Sequence, residues 1–523
     1  MQEQRSIIKK WVPQKMIVPI LLLAMFPHLM LLTIFNMNST FTASFLDIEV
    51  DDIQFLFSLA YALMVCTLFI HIRFFQYFNI RSYLLLMTLL NILVLLGMSF
   101  TTNTQLILIL RMIQAPLTLL EGCILLPVIM SQIKSPHSKL IGYSFLYGLM
   151  MTGDKFATSF AKFAIENYNH NMILYTAIAF HLGALLVYVF VFNNYRMFGK
   201  KPLYQLNLAG IFLMAMSLVS GAFVLVYGKK HDWFESEIII WAFCSFCFFG
   251  GLFLFHQLTS KRKLFHFEIF YSKRVIVGLI FFFFFYIIRS SMSNIYYVMA
   301  NVWKWHWEYV LHIQYFNVAG TITGVFLGYY MLKKQWNYQL IFFIGFTGLA
   351  ASMYWFSTLF YPDIQVSDIA PALICEGISQ GLLFTPLVMY MLGSVHPSIA
   401  NSVSLAGTGI RFWTNTIGFS IMQNSILYLT TKHQDLSLDH LISTHSMFQK
   451  EWNTYFAKFS STHTYNEAVS LTAATIKSKV YEHALLISNI EIFKTLFFTA
   501  FIIAFILLVY NVVKYIPNKK LND

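Results

Sequence analysis

The chain has 523 residues, 58% hydrophobic, 18% aromatic and only 11% charged, with a formal net charge of +12. Soluble domains carry about 25% charged residues, so a water-soluble enzyme or binding module is excluded, and one fold embedded in a bilayer can occupy the whole length. The positive balance does not mark a nucleic-acid binder, because Lys and Arg sit in short turns between apolar runs, the distribution that orients membrane proteins.

The N-terminal stretch MQEQRSIIKKWVPQK is basic, and the apolar run after it is too long for a signal peptide and has no small-residue cleavage site. It reads as an uncleaved first span. Fourteen segments are apolar and long enough to cross a bilayer, which takes about 20 residues: 16–37, 53–72, 83–100, 106–130, 140–165, 172–192, 206–227, 236–256, 275–297, 309–331, 339–360, 368–392, 401–427 and 490–510. With an even number of spans, the loops holding Lys9 and Lys10, Arg73 and Arg81, Lys134 and Lys139, Lys200 and Lys201, Lys261 to Lys263, Lys333 and Lys334, and Lys519 and Lys520 fall on one side. That side is cytoplasmic by the positive-inside rule. Both termini are then cytoplasmic, and the membrane is the cell's inner membrane. The opposite loops are short or acidic, as at Asp47, Glu49, Asp51 and Asp52.

Charged residues inside these spans are the functional candidates, since a charge at mid-membrane costs roughly 2.5–3.5 kcal/mol on insertion scales and turns inward. The fourth span carries Arg111, Gln114 and Glu121, and the fifth carries Asp154 and Lys155. Gln114 and Glu121 are seven apart and share a helix face. Glu121 and Asp154 near mid-depth read either as a cavity that handles a solute or proton, or as a buried polar pair fixing helix packing. Arg289 lies too deep to snorkel and faces a cavity or pairs with a carboxyl. Glu376 and Arg411 lie on spans twelve and thirteen, where Arg411 is read equally as a tie between helices and as a substrate contact. His28, His181 and His312 are read as isolated polar core residues, Cys244-x-x-Cys247 as core filling, and most of the Phe281–Phe285 run as lipid-facing. No metal-ligand spacing, Walker motif, nucleophile elbow or dinucleotide fingerprint is present in the sequence, so no metal, cofactor or catalytic residue is expected.

One loop differs from the rest. Residues 428–489 are polar, and Glu467 to Ile487 has apolar residues at roughly helical spacing, which predicts a helical hairpin. This outer segment is either a passive cap or a docking surface for a periplasmic adaptor leading to an outer-membrane channel.

Arg111-x-x-Gln114 on a fourth span resembles the Arg-x-x-Gln-Gly motif of the major facilitator superfamily, with Ala115 in place of Gly. Gly148 and Gly153 match part of the antiporter motif of the next span, where Asp154 stands for its Pro. The first span ends with Thr33, Ile34 and Asn36, similar to the L-D-x-T-I-V-N signature of the fourteen-span drug–proton antiporters, but Leu31 stands at the Asp position. Gly377-Ile-Ser-Gln-Gly381-Leu-Leu-Phe-Thr-Pro386 and Gly407-Thr-Gly-Ile-Arg411 resemble the late motifs of that multidrug efflux subfamily. The resemblance implies an all-α integral membrane fold of two six-helix halves, 1–195 and 273–523, with two inserted helices in 196–272. It implies a non-enzymatic secondary transporter exporting amphipathic organic compounds in exchange for protons. Alternatives are an uncoupled or importing transporter, or an integral membrane enzyme acting on a lipid or isoprenoid. Small organic substrate, protons and lipid are the expected partners. The proton carriers rank Glu121, Asp154, then Glu376, because Glu121 has no basic residue within a helical turn.

A cysteine placed at Lys261 or Lys519 is expected to react with membrane-impermeant reagent only from the cytoplasmic side, and one within 428–489 only from the other. Labelling of either lysine position from outside intact cells overturns this orientation.

Overall fold

The fold is seen in a computed structural model that describes residues 7–33, 48–167, 171–197, 199–200, 202–203, 206–396, 399–438 and 446–519. In chain order the helices are α1 (Gln14–Thr33), α2 (Val50–Leu68), α3 (His71–Tyr77), α4 (Ile80–Ser99), α5 (Thr104–Cys123), α6 (Leu125–Gln132), α7 (Ser138–Asn167), α8 (Met172–Val191) and α9 (Leu208–Tyr227). They continue with α10 (Glu237–Thr259), α11 (Lys273–Ser290), α12 (Met292–Asn301), α13 (Trp307–Lys333), α14 (Tyr338–Ser357), α15 (Val366–Leu392), α16 (Ala400–Leu438), α17 (Ser446–Ser460) and α18 (Tyr465–Lys519). No strand occurs among the described residues; one isolated antiparallel bridge, Ile8 to Phe192, pins the N-terminal segment to the end of α8.

This is the architecture hydrocarbon demands. With no water to satisfy the backbone, each crossing segment must bond its own N–H and C=O groups. Eleven segments of the described chain are long and apolar enough to cross a membrane, which makes this a multi-pass membrane protein. Each of the fourteen expected spans overlaps a helix, though α1, α7 and α16 are not among the eleven. Asparagines cap three helix starts: Asn103, Asn207 and Asn337 each accept a backbone N–H of the following turn, supplying the acceptor that the first turn lacks.

Two expected spans are broken. The segment 106–130 divides at Ile124 into α5 and α6, where Pro127 has no N–H to offer the Cys123 carbonyl. The segment 275–297 divides at Ser291 into α11 and α12, with the Ser291 hydroxyl donating to the Ile288 carbonyl at 2.7 Å. The outer segment does hold a helical hairpin, divided differently from the expectation. Residues 467–487 form no hairpin of their own but the first part of the continuous 55-residue α18, while α16 runs on to Leu438. Ala468, Thr472, Ala484 and Leu485 are buried, giving this polar stretch an inward stripe that keeps it helical. The hairpin is made by α17 against α18.

Two large apolar cores form. One joins the N-terminal segment, α1, α3 to α6 and α8. The other joins α11 to α16 and α18, and takes in Tyr147 and Met151 of α7. Between them α7 packs on α13 and α15, and α2 packs on α16. The second contact is covered by α9, through Ala62, Cys66, Met214, Leu218, Ala222 and Phe412. Beyond it α10 packs on α9 and turns Trp241, Phe248, Phe255 and Leu258 outward. Cys244 and Cys247 are exposed on this helix, so they face lipid and are not core filling. The Phe-rich run is corrected the other way: Phe282 and Phe285 are fully buried and pack edge-on against Phe384.

The tightest seam lies between α13 and α15. A Cβ on Gly320 would sit 2.3 Å from the Ile374 carbonyl oxygen, and one on Gly324 2.1 Å from that of Ile378. In return, a Cβ on Gly377 or on Gly381 would sit 2.3 Å from the carbonyl oxygen of Asn317 or of Thr321. Small residues four apart on both helices let the backbones touch, which is how helices associate where hydrocarbon gives no hydrophobic drive. Gly324→Leu and Gly381→Val are therefore expected to abolish a monodisperse product, whereas Gly407→Ala, whose Cβ would meet only the Met391 methyl at 3.7 Å, leaves yield and melting unchanged. Size-exclusion profiles in detergent read the difference.

Candidate functional site

Three buried polar constellations occupy the spans. The first surrounds Glu121, which is fully buried on α5. Thr88 donates to its Oε1 at 2.5 Å and Asn91 to its Oε2 at 2.8 Å, both from α4. His28 of α1 brings Nε2 to 3.6 Å from Oε1 and to 3.2 Å from the Tyr188 hydroxyl of α8. His181, also on α8, stacks edge-on with His28 at 5.6 Å. Gly122 makes the approach possible, since a Cβ there would lie 3.3 Å from that of His28. The two histidines are thus not isolated, as the sequence suggested, but share one cluster with Glu121. His312, in contrast, is exposed and bonds only the Glu308 carbonyl. One turn and more back along α5, buried Arg111 donates to Gln114 at 2.5 Å.

The second constellation holds Glu376, fully buried on α15. Asn317 of α13 donates from Nδ2 both to Glu376 Oε2 and to the Leu373 carbonyl. The charges of Arg289 and Lys155 act on the same carboxylate. Arg289 is half-buried and makes no ion pair with it, and Lys155 lies 5.7 Å over the Tyr296 ring. Lys155 comes from α7, so this constellation spans the contact between the two cores.

The third is built on Arg411 of α16. Its Nε donates to the Gly407 carbonyl at 2.9 Å and an Nη to Thr408 at 2.6 Å, both in its own helix. The outer edge of the guanidinium meets rings: Phe384 at 5.7 Å and Tyr147 at 5.9 Å. Tyr61 and Tyr286 lie within electrostatic range. A buried cation held over aromatic faces gains roughly 2 kcal/mol or more when desolvated. Tyr61 and Tyr147 come from α2 and α7, Tyr286 and Phe384 from α11 and α15, so the cage joins helices from early and late in the chain. A groove of about 490 Å³ between α9 and α16, lined by Leu225, Trp233, Ile417 and Asn424 among others, shares no lining residue with the three.

Of the residues singled out by sequence, Arg111 and Gln114 lie together, with Glu121 further along the same face, and Arg289 lies within electrostatic range of Glu376 without an ion pair. Gly381 is structural, as the seam shows. Gly148 and Gly153 lie on α7, where a Cβ on Gly148 would meet only Val325 at 3.8 Å. Asn36 and the side chain of Asp154 lie outside the described residues. Sequence reasoning missed Asn317, Asn91, Thr88, Tyr188 and Tyr147. Asn91 and Asn317 were findable as amides at mid-span, by the same cost argument that selected the charges.

No family model and no curated protein sequence matches the chain. Among solved structures it is similar to the human organic anion transporter MFSD10 (TETRAN), with 10% identity, 94% of this chain and 100% of that chain covered, and a TM-score of 0.51. It is also similar to a POT family transporter in complex with a thioalcohol-conjugated peptide, with 13% identity, 96% and 98% covered, and a TM-score of 0.56. The major facilitator superfamily proton:xylose symporter XylE aligns over 92% and 96% at 12% identity and a TM-score of 0.49. At such identities the similarity shows the fold alone: the chain has an all-α major facilitator fold.

Asn317→Leu is expected to lower stability by roughly 1–3 kcal/mol, because it removes a donor from a buried carboxylate, while Asn317→Leu combined with Glu376→Leu recovers most of the loss. Thermal melts in detergent test this; equal melting of the single variant and wild type would show that the bond carries no weight.

Proposed function

We propose that the protein is a secondary active transporter of the major facilitator superfamily that exports an amphipathic or hydrophobic organic compound in exchange for protons. The observation that carries this reading is the Arg411 cage. It places a buried cation among aromatic rings supplied by α2 and α7 from early in the chain and by α11 and α15 from late in it, where rocking of one body against the other would open and close it. Rings offer a sequence-tolerant surface to an apolar solute, and Arg411 favours one that also carries an acidic or strongly dipolar group. The two bodies are the halves 1–195 and 273–523, α9 and α10 are the inserted pair, and the inner membrane with cytoplasmic termini is the setting. The outer ends of α16 and α18, together with α17, offer the surface an adaptor would meet.

Proton coupling needs a carboxyl whose surroundings change as the halves move. Glu121 ranks first by sequence, but all its partners come from α1, α4 and α8 of the same core, so rocking leaves it alone. Glu376 has Asn317 on its own side and feels Lys155 from across the contact. We assign the coupling proton to Glu376. The leucine at position 31, where the subfamily has an acid, favours a second reading: an uncoupled or importing transporter of the same kind of solute.

Proteoliposomes with an imposed pH gradient and a panel of amphipathic fluorescent dyes, neutral and anionic, test this. Wild type is expected to move at least one dye and to move protons with it. Glu376→Gln keeps dye binding and loses pH-driven transport. Arg411→Ala lowers transport about tenfold or more, and Arg411→Lys fails to restore it, because a compact ammonium does not stack as a guanidinium does. Wild-type pH-driven transport in both Glu376→Gln and Arg411→Ala would overturn the assignment, and dye movement without proton flux in wild type would favour the uncoupled reading.

A further inference from the structure

The Glu121 cluster has no task in the transport reading, yet it has the composition of a metal centre. His28, Glu121 and His181 each offer one ligand atom, and these atoms lie within 4.8 Å of one another. All three side chains are buried, with exposures of 5%, 0% and 0%. They come from α5, α1 and α8, so the site is assembled only by the tertiary fold.

Two of the three ligands are already oriented. His181 Nδ1 bonds the Ala177 carbonyl at 2.8 Å, which makes that nitrogen the donor and leaves Nε2 as the lone pair. Nε2 is buried and has no hydrogen-bond partner. A ring fixed through one nitrogen by a backbone carbonyl, with the other left bare, is the arrangement that metal-binding histidines use. Glu121 is held at both oxygens, by Thr88 and Asn91. His28 Nε2 faces Glu121 Oε1 at 3.6 Å, close to the roughly 3.4 Å separation of two ligands in a tetrahedral zinc site with bonds of about 2.0–2.1 Å. Closing the ligand distances, none above 4.8 Å, to that separation requires a shift of at most about 1.4 Å, within reach of side-chain rotation. The Tyr188 hydroxyl, 3.2 Å from His28 Nε2, also lies near Glu121 and turns to the carboxylate when His28 binds.

We propose that His28, Glu121 and His181 hold a divalent first-row transition-metal ion, of the zinc and iron(II) class, inside the N-terminal core. Two imidazoles and one carboxylate select such an ion over magnesium or calcium, which prefer all-oxygen sites. Two neutral imidazoles also leave the carboxylate as the ion's single protein countercharge. Its place, enclosed among helices of one core and away from the contact between cores, fits a resident ion that bolts α1 and α8 to α5.

The test is independent of transport. The full chain, carrying an affinity tag without histidines, is produced in medium supplemented with zinc or cobalt, purified in detergent and washed with chelator. Metal per chain is measured by mass spectrometry, and the cobalt protein is scanned between about 500 and 650 nm. Wild type is expected to retain about one equivalent, with d–d bands of a four- or five-coordinate site in the cobalt form. His181→Gln and Glu121→Gln each lose that equivalent and those bands while remaining monodisperse. Should the variants aggregate, the wild-type metal content and cobalt spectrum decide alone. Wild type without retained metal, or retention unchanged in the variants, overturns the proposal and leaves a buried hydrogen-bonded cluster only.

Discussion

The high cost of a polar group in hydrocarbon organises this molecule. It forces every crossing segment into a helix, and it then drives buried mid-span charges and amides to find partners within the bundle. Glu121 takes Thr88 and Asn91, Glu376 takes Asn317, and Arg111 takes Gln114. Among the described residues no carboxylate pairs with Arg411, which is satisfied by its own helix and by rings. The α13–α15 seam obeys the same constraint from the opposite side. With no hydrophobic gain to be had between lipid-bathed helices, glycines bring backbones into contact, and that contact sets Asn317 opposite Glu376.

The constraint explains what could be read in advance. Crossing helices are legible because length and hydropathy are sufficient to define them, and the segments at 83–100, 172–192 and 339–360 are recovered within a few residues by α4, α8 and α14. Arg111, Glu121 and Glu376 are legible because a charge in an apolar run has few alternatives. Which groups meet is not legible: His28 and His181 are 153 positions apart, and their meeting depends on helix phase and on the room left by Gly122. The long outer ends of α16 and α18 were hidden because their polarity ends the membrane signal without ending the helix. Cys244 and Cys247 were misread because an apolar run does not reveal which of its faces meets protein and which meets lipid.

The three polar constellations differ in what motion would do to them. The Glu121 cluster is enclosed by helices of one core and would travel as a unit. The Glu376 and Arg411 groups draw on α7 or α2 as well as on α11, α13, α15 and α16, so any sliding of α7 along α13, or of α2 along α16, changes their surroundings. Rigidity in the first and exposure to motion in the others is the division of labour that the packing provides.

The unbroken course of α18 has a mechanical consequence. At 1.5 Å per residue, 55 residues extend for roughly 80 Å, against a hydrocarbon thickness of about 30 Å. Phe493, Leu496 and Ala500 anchor the helix in the core built on α11 to α16, while the stretch from Tyr465 to Ser488 runs on as a stiff arm whose inward face is braced by α16 and α17. A tilt of about 10° at the anchor would carry the tip of a roughly 35 Å arm through about 6 Å. Small rotations deep in the bundle are thereby magnified into a displacement large enough to be felt by whatever rests against that tip.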